Sequence, residues 1–337
     1  MKLIKDQFLP GIFTLLTAPV ASGKTKLIVD FYLENEFKVI FISPLRALAN
    51  EVYKNLSNNQ RNVFLAGGEL STKECFEKFL SKKKSFFIST MELLHEEFLN
   101  ECEKLEEKIL FILDEFHLFY HWGEGFRPIL HDRFLAILNT NLPVLALTAT
   151  MNEQLKMQLI EDLKFYNNFW VHIDYGNQLL FRPPQKINYF NQNEKVIFNK
   201  TFIKKLNQKQ SREVFIYFCS YREEVDTWVE RLSRLGFYAL GCVGGEVERF
   251  LKELNHCMEN KINIDCIFST TTLSHGVNLP EIRNVFIGYE LKNFDFWLQM
   301  AGRGGRRGAP YEVYTFDIYL KQKNIMKDKI MRKLGFY

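Results

Sequence analysis

Short, unbroken apolar runs alternate with longer amphipathic stretches along this chain, and that alternation constrains the fold more than any other feature. A strand buried on both faces reads as a continuous apolar run, and such strands occur in parallel sheets covered by helices. Ile109-Leu110-Phe111-Ile112-Leu113 is the plainest case. Strands are expected at 12–18, 37–43, 85–89, 109–114 and 144–148, with helices at 24–34, 46–57, 91–104 and 152–164. Near 176–190, Gly176-Asn177-Gln178 and Arg182-Pro183-Pro184 interrupt the rhythm and mark a linker. The pattern then restarts. It gives strands at 213–218, 237–242, 264–269, 283–288 and 311–316, with helices at 221–235, closed by Gly236, and at 294–301. The expected fold is α/β, two tandem domains at 1–180 and 181–337, each a parallel sheet with flanking helices.

Composition agrees. A chain of 337 residues suits two domains, and 47% apolar with 25% charged residues excludes disordered, collagenous and coiled-coil chains. Forty-four basic against 40 acidic residues leave a net charge of +4, too small to argue for a nucleic-acid partner unaided. The 32 phenylalanines read as compositional bias. Six cysteines (Cys75, Cys102, Cys219, Cys242, Cys257, Cys266) show no C-x-x-C pair, which argues against a zinc ribbon or disulfide framework and for a reducing, cytoplasmic setting. Lys2 and Lys5 before the run from Phe8 to Ala21 mimic a signal peptide, but Asp6, Pro10 and Gly11 interrupt it. No 18-residue apolar run exists, so no membrane partner is expected.

Chemistry first shows at Thr17-Ala18-Pro19-Val20-Ala21-Ser22-Gly23-Lys24-Thr25, which follows a strand and opens a helix. Backbone N–H groups of such a turn cradle phosphate oxygens. Lys24 can reach the β- and γ-phosphates of ATP, and the Thr25 hydroxyl can ligate Mg²⁺. Gly-Lys-Thr alone is a weak signal; its position between strand and helix gives it weight. The 109–113 run then ends in Asp114-Glu115-Phe116-His117. Two adjacent carboxylates at a buried strand end are costly unless something there needs them. Asp114 is placed to hold the magnesium and Glu115 to activate the attacking water.

Three more segments narrow the class. Leu147-Thr148-Ala149-Thr150 ends a strand with hydroxyls, and Thr270 to Pro280 carries T-T-T-L-S-H-G-V-N-L-P. Gln299 to Gly308 reads Q-M-A-G-R-G-G-R-R-G, three arginines among four glycines. That makes a poor helix interior and a suitable loop for guanidinium groups that neutralise a transferring phosphate.

With A-P-V-A-S-G-K-T, P-L-R-A-L-A at 44–49, T-M-E-L-L at 90–94, D-E-F-H, L-T-A-T, T-L-S-H-G-V-N-L-P and Q-M-A-G-R-G-G-R-R-G in order, the chain resembles the superfamily 2 DExH-box helicases. Within them it resembles the Ski-like branch of exosome-associated RNA helicases and archaeal fork-repair DNA helicases. The resemblance implies two RecA-like domains of the P-loop NTPase type that clamp ATP while moving on a single strand. It implies nucleotide contacts from Ala18, Pro19, Val20, Ala21, Ser22, Gly23, Lys24, Thr25, Gly276 and Asn278, with Thr25 and Asp114 toward magnesium. Lys24, Asp114, Glu115, Gln299, Arg303 and Arg306 would be catalytic, the last two as arginine fingers. His117, Thr148 and Thr150 would couple hydrolysis to the strand, and Pro44, Arg46, Thr90, Thr270 and Thr272 would line its path. DNA is slightly favoured over RNA.

Departures qualify the resemblance. Val20 stands where that branch usually has Thr, and Phe116 where it often has Ile. Few residues precede the phosphate loop for adenine recognition, and 29 follow Gly308, too few for winged-helix and ratchet domains. The interval Glu281–Leu298 leaves only Tyr289 to Asn293 outside a strand and a helix, too short for a duplex-splitting hairpin. A nucleic-acid-gated ATPase switch without unwinding activity is therefore an alternative, with a partner protein supplying a wedge or loading function. A small-molecule P-loop kinase would need neither L-T-A-T nor the arginine-rich segment. Stretch 318–334 reads as a basic amphipathic helix that packs on its own domain, and the run from Glu96 to Glu107 as a solvated helix face. Tyr120, His121 and Trp122 would either pack in the core or stack a base.

Overall fold

A computed structural model describes residues 8–58, 62–105, 108–125, 127–210, 213–274 and 277–316. The chain divides into two compact units, Met1–Leu179 and Leu180–Tyr337. In the first, the apolar runs become a parallel sheet of β1 (Ile12–Thr17), β2 (Lys38–Ile42), β3 (Val63–Leu65), β4 (Ser85–Ser89), β5 (Ile109–Leu113), β6 (Val144–Thr148) and β7 (Phe169–Asp174). Their order is β3-β4-β2-β5-β6-β1-β7. Every residue of β2, β4, β5 and β6 is buried, as unbroken apolar runs require. Adjacent residues face opposite sides: Phe111 joins Phe13, Phe87 and Phe134 in one core layer, while Leu110 and Ile112 join Phe31, Phe41 and Phe86 in the other.

Helices α1 (Lys24–Glu34), α2 (Arg46–Ser57), α3 (Thr72–Leu80), α4 (Glu96–Glu103), α5 (His117–His121), α6 (Ile129–Asn139) and α7 (Glu153–Phe165) lie between the strands in the chain. Ser71 caps α3 in a reciprocal capping box with Glu74. Phenylalanine carries much of the packing. Phe76 and Phe98 stack at 4.2 Å between centroids, and burying each such ring is worth about 1.5–3 kcal/mol.

The second unit holds β8 (Lys186–Phe190), β9 (Val214–Phe218), β10 (Ala239–Cys242), β11 (Cys266–Ser269), β12 (Ile282–Ile287) and β13 (Glu312–Phe316), also parallel, in the order β10-β11-β9-β12-β13-β8. Helices α8 (Lys195–Asn207), α9 (Arg222–Arg234), α10 (Val247–Glu259) and α11 (Phe294–Ala301) belong to it. An aromatic cluster of Phe198, Phe202, Tyr217, Trp228, Phe268, Phe286 and Tyr314 fills its core, with Phe286 and Tyr314 stacked at 4.1 Å.

Several expectations need correction. The last third of the expected linker is strand β8, paired with β13 at the edge of the sheet; no residue of it is fully buried, so it lacks a continuous apolar run. The helix expected at 91–104 is broken. Met91–Leu93 forms a 3-10 turn, Leu94 is extended, and α4 starts at Glu96. Strands β3 and β7 and helices α3, α5, α6, α8 and α10 are additional. The basic stretch 318–334 lies outside the described residues. The stretch resembling a signal peptide contains β1, an inner strand of its sheet. The six cysteines are buried and form no disulfide. Among the described residues, no helix is long and apolar enough to cross a membrane.

Candidate nucleotide-binding site

The phosphate-loop turn leaves the carboxyl end of β1 and enters α1 through left-handed residues. Ala21 has φ 64° and Gly23 φ 87°. Gly23 caps α1 with no side-chain hydrogen bond, and a Cβ at Gly23 would meet nothing within 4 Å. The turn therefore opens onto free space beside a helix N-terminus, the arrangement that binds phosphate. Ala18 N–H is held by Thr148 C=O at 3.1 Å and Val20 N–H by Leu179 C=O at 3.0 Å. Lys24 is buried, its ammonium 3.4 Å from Ala18 C=O. Thr25 is half-buried on the first turn of α1.

Asp114 and Glu115 leave β5, two strands from β1 in the sheet. Asp114 is 5% exposed and accepts the Glu115 N–H at 3.0 Å. Burial, and then the charge of Glu115, pushes its carboxyl up to about 7, with Lys24 opposing. Glu115 has φ 45°, a conformation that costs a non-glycine residue energy and that collects at functional sites. His117 is fully buried, its Nδ1 2.9 Å from Thr148 Oγ1 and 3.7 Å from a Glu115 carboxylate oxygen. Thr148 donates its hydroxyl to Thr150 C=O at 2.9 Å and accepts Thr150 N–H at 3.1 Å. Its single proton is thus committed, so the His117 contact requires the proton on Nδ1. A continuous chain of contacts runs from Glu115 through His117 and Thr148 to Thr150.

Buried side-chain atoms without a hydrogen bond include Ser22 Oγ, a Glu115 carboxylate oxygen, Thr150 Oγ1 and Gln299 Nε2. Each such atom costs about 1–3 kcal/mol; these four lie on segments that the sequence marks for chemistry, whereas Thr14 Oγ1, Gln158 Oε1 and Glu281 Oε1, also without a hydrogen bond, lie elsewhere.

Pro44 and Arg46 follow β2, and Thr90 follows β4, at the same carboxyl edge of the sheet. Pro44 is buried; Arg46 is exposed and donates to Gly67 C=O at 2.7 Å. One residue missed in the sequence joins these segments. Arg127 donates to Pro44 C=O at 2.8 Å, pairs with the Glu92 carboxylate, and stacks 5.4 Å over Trp122. It holds the Glu92 carboxyl below its ordinary range although burial opposes this. Its partners come from three separate segments, so spacing gave no signal. Tyr120 packs in the core and donates to Asp162 at 2.7 Å.

In the second unit, Thr270 and Thr272 follow β11 with their hydroxyls 3.0 Å apart. Asn278 is exposed, while Gly276 lies outside the described residues. Gln299 is buried near the end of α11, 2% exposed. Arg303, 1% exposed, donates Nη1 to Val277 C=O and so ties the arginine-rich loop to the G-V-N segment. Arg306 is half-buried, its Nε 3.2 Å from Gly302 C=O; Arg307 is exposed.

The donor set fits magnesium-ATP. Lys24 supplies a buried cation beside the turn, and the Asp114 carboxyl, raised by burial, would be restored to its charged form by a divalent cation. Among the described residues, no group of three or more His, Cys, Asp or Glu side chains could hold a metal. One hydroxyl and one carboxylate suit a hard cation whose remaining ligands are phosphate and water.

Comparison with known proteins agrees. The model for DEAD/DEAH box helicases matches residues 3–158, and the helicase conserved C-terminal domain matches 196–308. The RecQ-like DNA helicase BLM of Xenopus laevis is 26% identical over 88% of this chain and 22% of its own length. The ATP-dependent DNA helicase RecQ of Bacillus subtilis is 25% identical over 89% of this chain and 50% of its own. This chain thus spans half or less of both relatives. The structure of S. cerevisiae Dbp5 bound to RNA and ADP BeF3 superposes with a TM-score of 0.67 at 14% identity, covering 96% of this chain and 83% of that one, and shares the fold. With a DEAD/DEAH box helicase domain matched in one unit and a helicase conserved C-terminal domain in the other, the chain belongs to the superfamily 2 helicases.

Proposed function

We propose that this chain hydrolyses ATP in response to a single strand of nucleic acid, DNA in preference to RNA, and moves along it. The observation that carries the reading is the set of unsatisfied buried polar atoms on Ser22, Glu115, Thr150 and Gln299. They leave hydrogen-bonding capacity for a ligand on the motifs suited to nucleotide chemistry.

Lys24 and the turn's N–H groups would bind the β- and γ-phosphates. Thr25 and Asp114 would hold Mg²⁺, which when bound neutralises charge on the phosphates. Glu115 would take a proton from water as its oxygen attacks the γ-phosphorus and the bond to the bridging oxygen breaks, releasing ADP. Gln299, Arg303 and Arg306 would stabilise the transferring group, with Gly276 and Asn278 near the nucleotide. The Glu115–His117–Thr148–Thr150 chain would link that step to the strand. Pro44, Arg46, Thr90, Thr270 and Thr272 would meet the strand through backbone and hydroxyl groups, so binding would be sequence-tolerant. The RecQ relatives are described as DNA helicases, which supports DNA; the D-E-F-H series supports the DExH subtype and the Ski-like resemblance.

A gated ATPase with little unwinding is the second reading. Between β12 and α11 lie only residues 288–293, with no hairpin, so a partner protein would supply the wedge. Hydrolysis measured with single-stranded DNA, with single-stranded RNA and with neither tests the first reading. Displacement of a duplex of several tens of base pairs separates it from the second.

A further inference from the structure

The segment joining the two units is bonded to nucleotide-site motifs in both. On the first unit, Asn177 exchanges hydrogen bonds with Met151: its amide donates to Met151 C=O at 2.6 Å and its carbonyl accepts Met151 N–H at 2.8 Å. Gln178 N–H donates to Ala149 C=O at 2.9 Å, within L-T-A-T. Leu179 C=O accepts Val20 N–H at 3.0 Å, within the phosphate loop. Gly176, at φ +134°, leaves room for Pro19: a Cβ there would come within 3.1 Å of its ring.

Arg182, three residues beyond Leu179, grips the arginine-rich loop of the second unit. Its Nη1 donates to Gly305 C=O at 3.3 Å and to Arg306 C=O at 3.2 Å. Its own carbonyl accepts the Tyr311 hydroxyl at 2.9 Å, while the Tyr311 ring occupies the space that side chains at Gly304 and Gly305 would need. Gly308, at φ +106°, lies so close that a Cβ there would stand 2.8 Å from Arg182 Nη1.

We propose that residues 177–182 are a strap bonded to a nucleotide-site motif in each unit, and that Arg182 is the positioning residue that fixes the arginine-rich loop and with it Arg306. The strap rests on the reading of the arginine-rich loop given above. An exposed arginine that only closed a turn would not need to bond the carbonyl of a catalytic arginine, nor have a left-handed glycine cleared around its guanidinium. Misplacing a catalytic group by about an ångström can cost on the order of 10²-fold in rate.

The test is steady-state ATP hydrolysis, with single-stranded DNA, by Arg182→Ala, Arg182→Lys, Gly308→Ala, Arg306→Ala and the Arg182→Ala/Arg306→Ala pair, with the melting temperature of each. Arg182→Ala should lower kcat roughly tenfold and leave KM for ATP within about twofold, because the phosphate loop is intact. Gly308→Ala, which displaces the guanidinium, should do the same, and Arg182→Lys should recover part of the loss. The pair should be no slower than Arg306→Ala alone, since residues acting through one another are non-additive. A wild-type kcat for Arg182→Ala alongside a crippled Arg306→Ala would overturn the strap alone. So would a further tenfold loss in the pair, because Arg182 would then act apart from Arg306. A wild-type kcat for Arg306→Ala would instead overturn the reading of the loop on which the strap rests.

Discussion

Replacing Asp114 with Asn should stabilise the nucleotide-free protein while abolishing turnover. The carboxyl is 5% exposed, and burial first and Glu115 second lift it from its ordinary 3.8 to about 7. A folded-state value above the unfolded one means that the folded protein binds the proton more tightly. The associated stability is complete below pH 3.8 and is lost as pH rises through 7. At 1.36 kcal/mol per tenfold change in proton affinity, the raised carboxyl costs up to about 4 kcal/mol at pH 8, where the folded protein holds it ionised, and about 2 kcal/mol at pH 5, where folding must protonate a group that the unfolded chain leaves ionised. Asn keeps an oxygen to accept the Glu115 N–H and carries no charge. Thermal unfolding without nucleotide or magnesium should show the variant melting higher at pH 8, by at most roughly 8–16 °C, with a smaller gain at pH 5. Saturating ATP and magnesium should narrow or reverse the order, because only the wild type gains their binding energy. An equal or lower melting temperature at pH 8, or a gain that does not vary with pH, would refute the reasoning.

Glu115→Gln should lose turnover and keep ATP affinity, since Lys24 and the magnesium ligands remain; hydrolysis near the wild-type rate would take Glu115 out of the base role. Arg306→Ala should cost on the order of 10³-fold in kcat with little change in melting temperature. Arg303→Ala should lose both activity and stability, because it strands the buried Val277 C=O at a cost of about 1–3 kcal/mol; unchanged unfolding would contradict the buried tie. Affinity for single strands should fall steeply from 50 to 200 mM salt with little sequence preference, and a flat salt dependence would contradict a phosphate-led strand path.

What could be read from the sequence was what chemistry fixes locally. The strand–turn–helix around Lys24, the carboxylates after β5 and the arginines after α11 each declare themselves within a few residues. The continuous runs of β2, β4, β5 and β6 were legible because both faces are buried. Edge strands β7 and β8 have residues open to solvent and show no such run, so they were missed. Helix α10 did carry a signal, with Phe250, Leu254 and Cys257 on one face, that went unread. Arg127 and Arg182 were invisible for another reason. Their roles rest on carbonyls supplied by Pro44 and by Gly305 and Arg306, and a backbone acceptor leaves no trace in side-chain spacing.

The central claim is that hydrolysis at this site answers to a nucleic-acid strand, and the ATPase rate of the purified chain with and without single-stranded DNA tests it most directly. The account predicts a low rate alone and a rise of at least tenfold with saturating strand, abolished by Glu115→Gln. A rate that is the same with single-stranded DNA, with single-stranded RNA and with neither would contradict it.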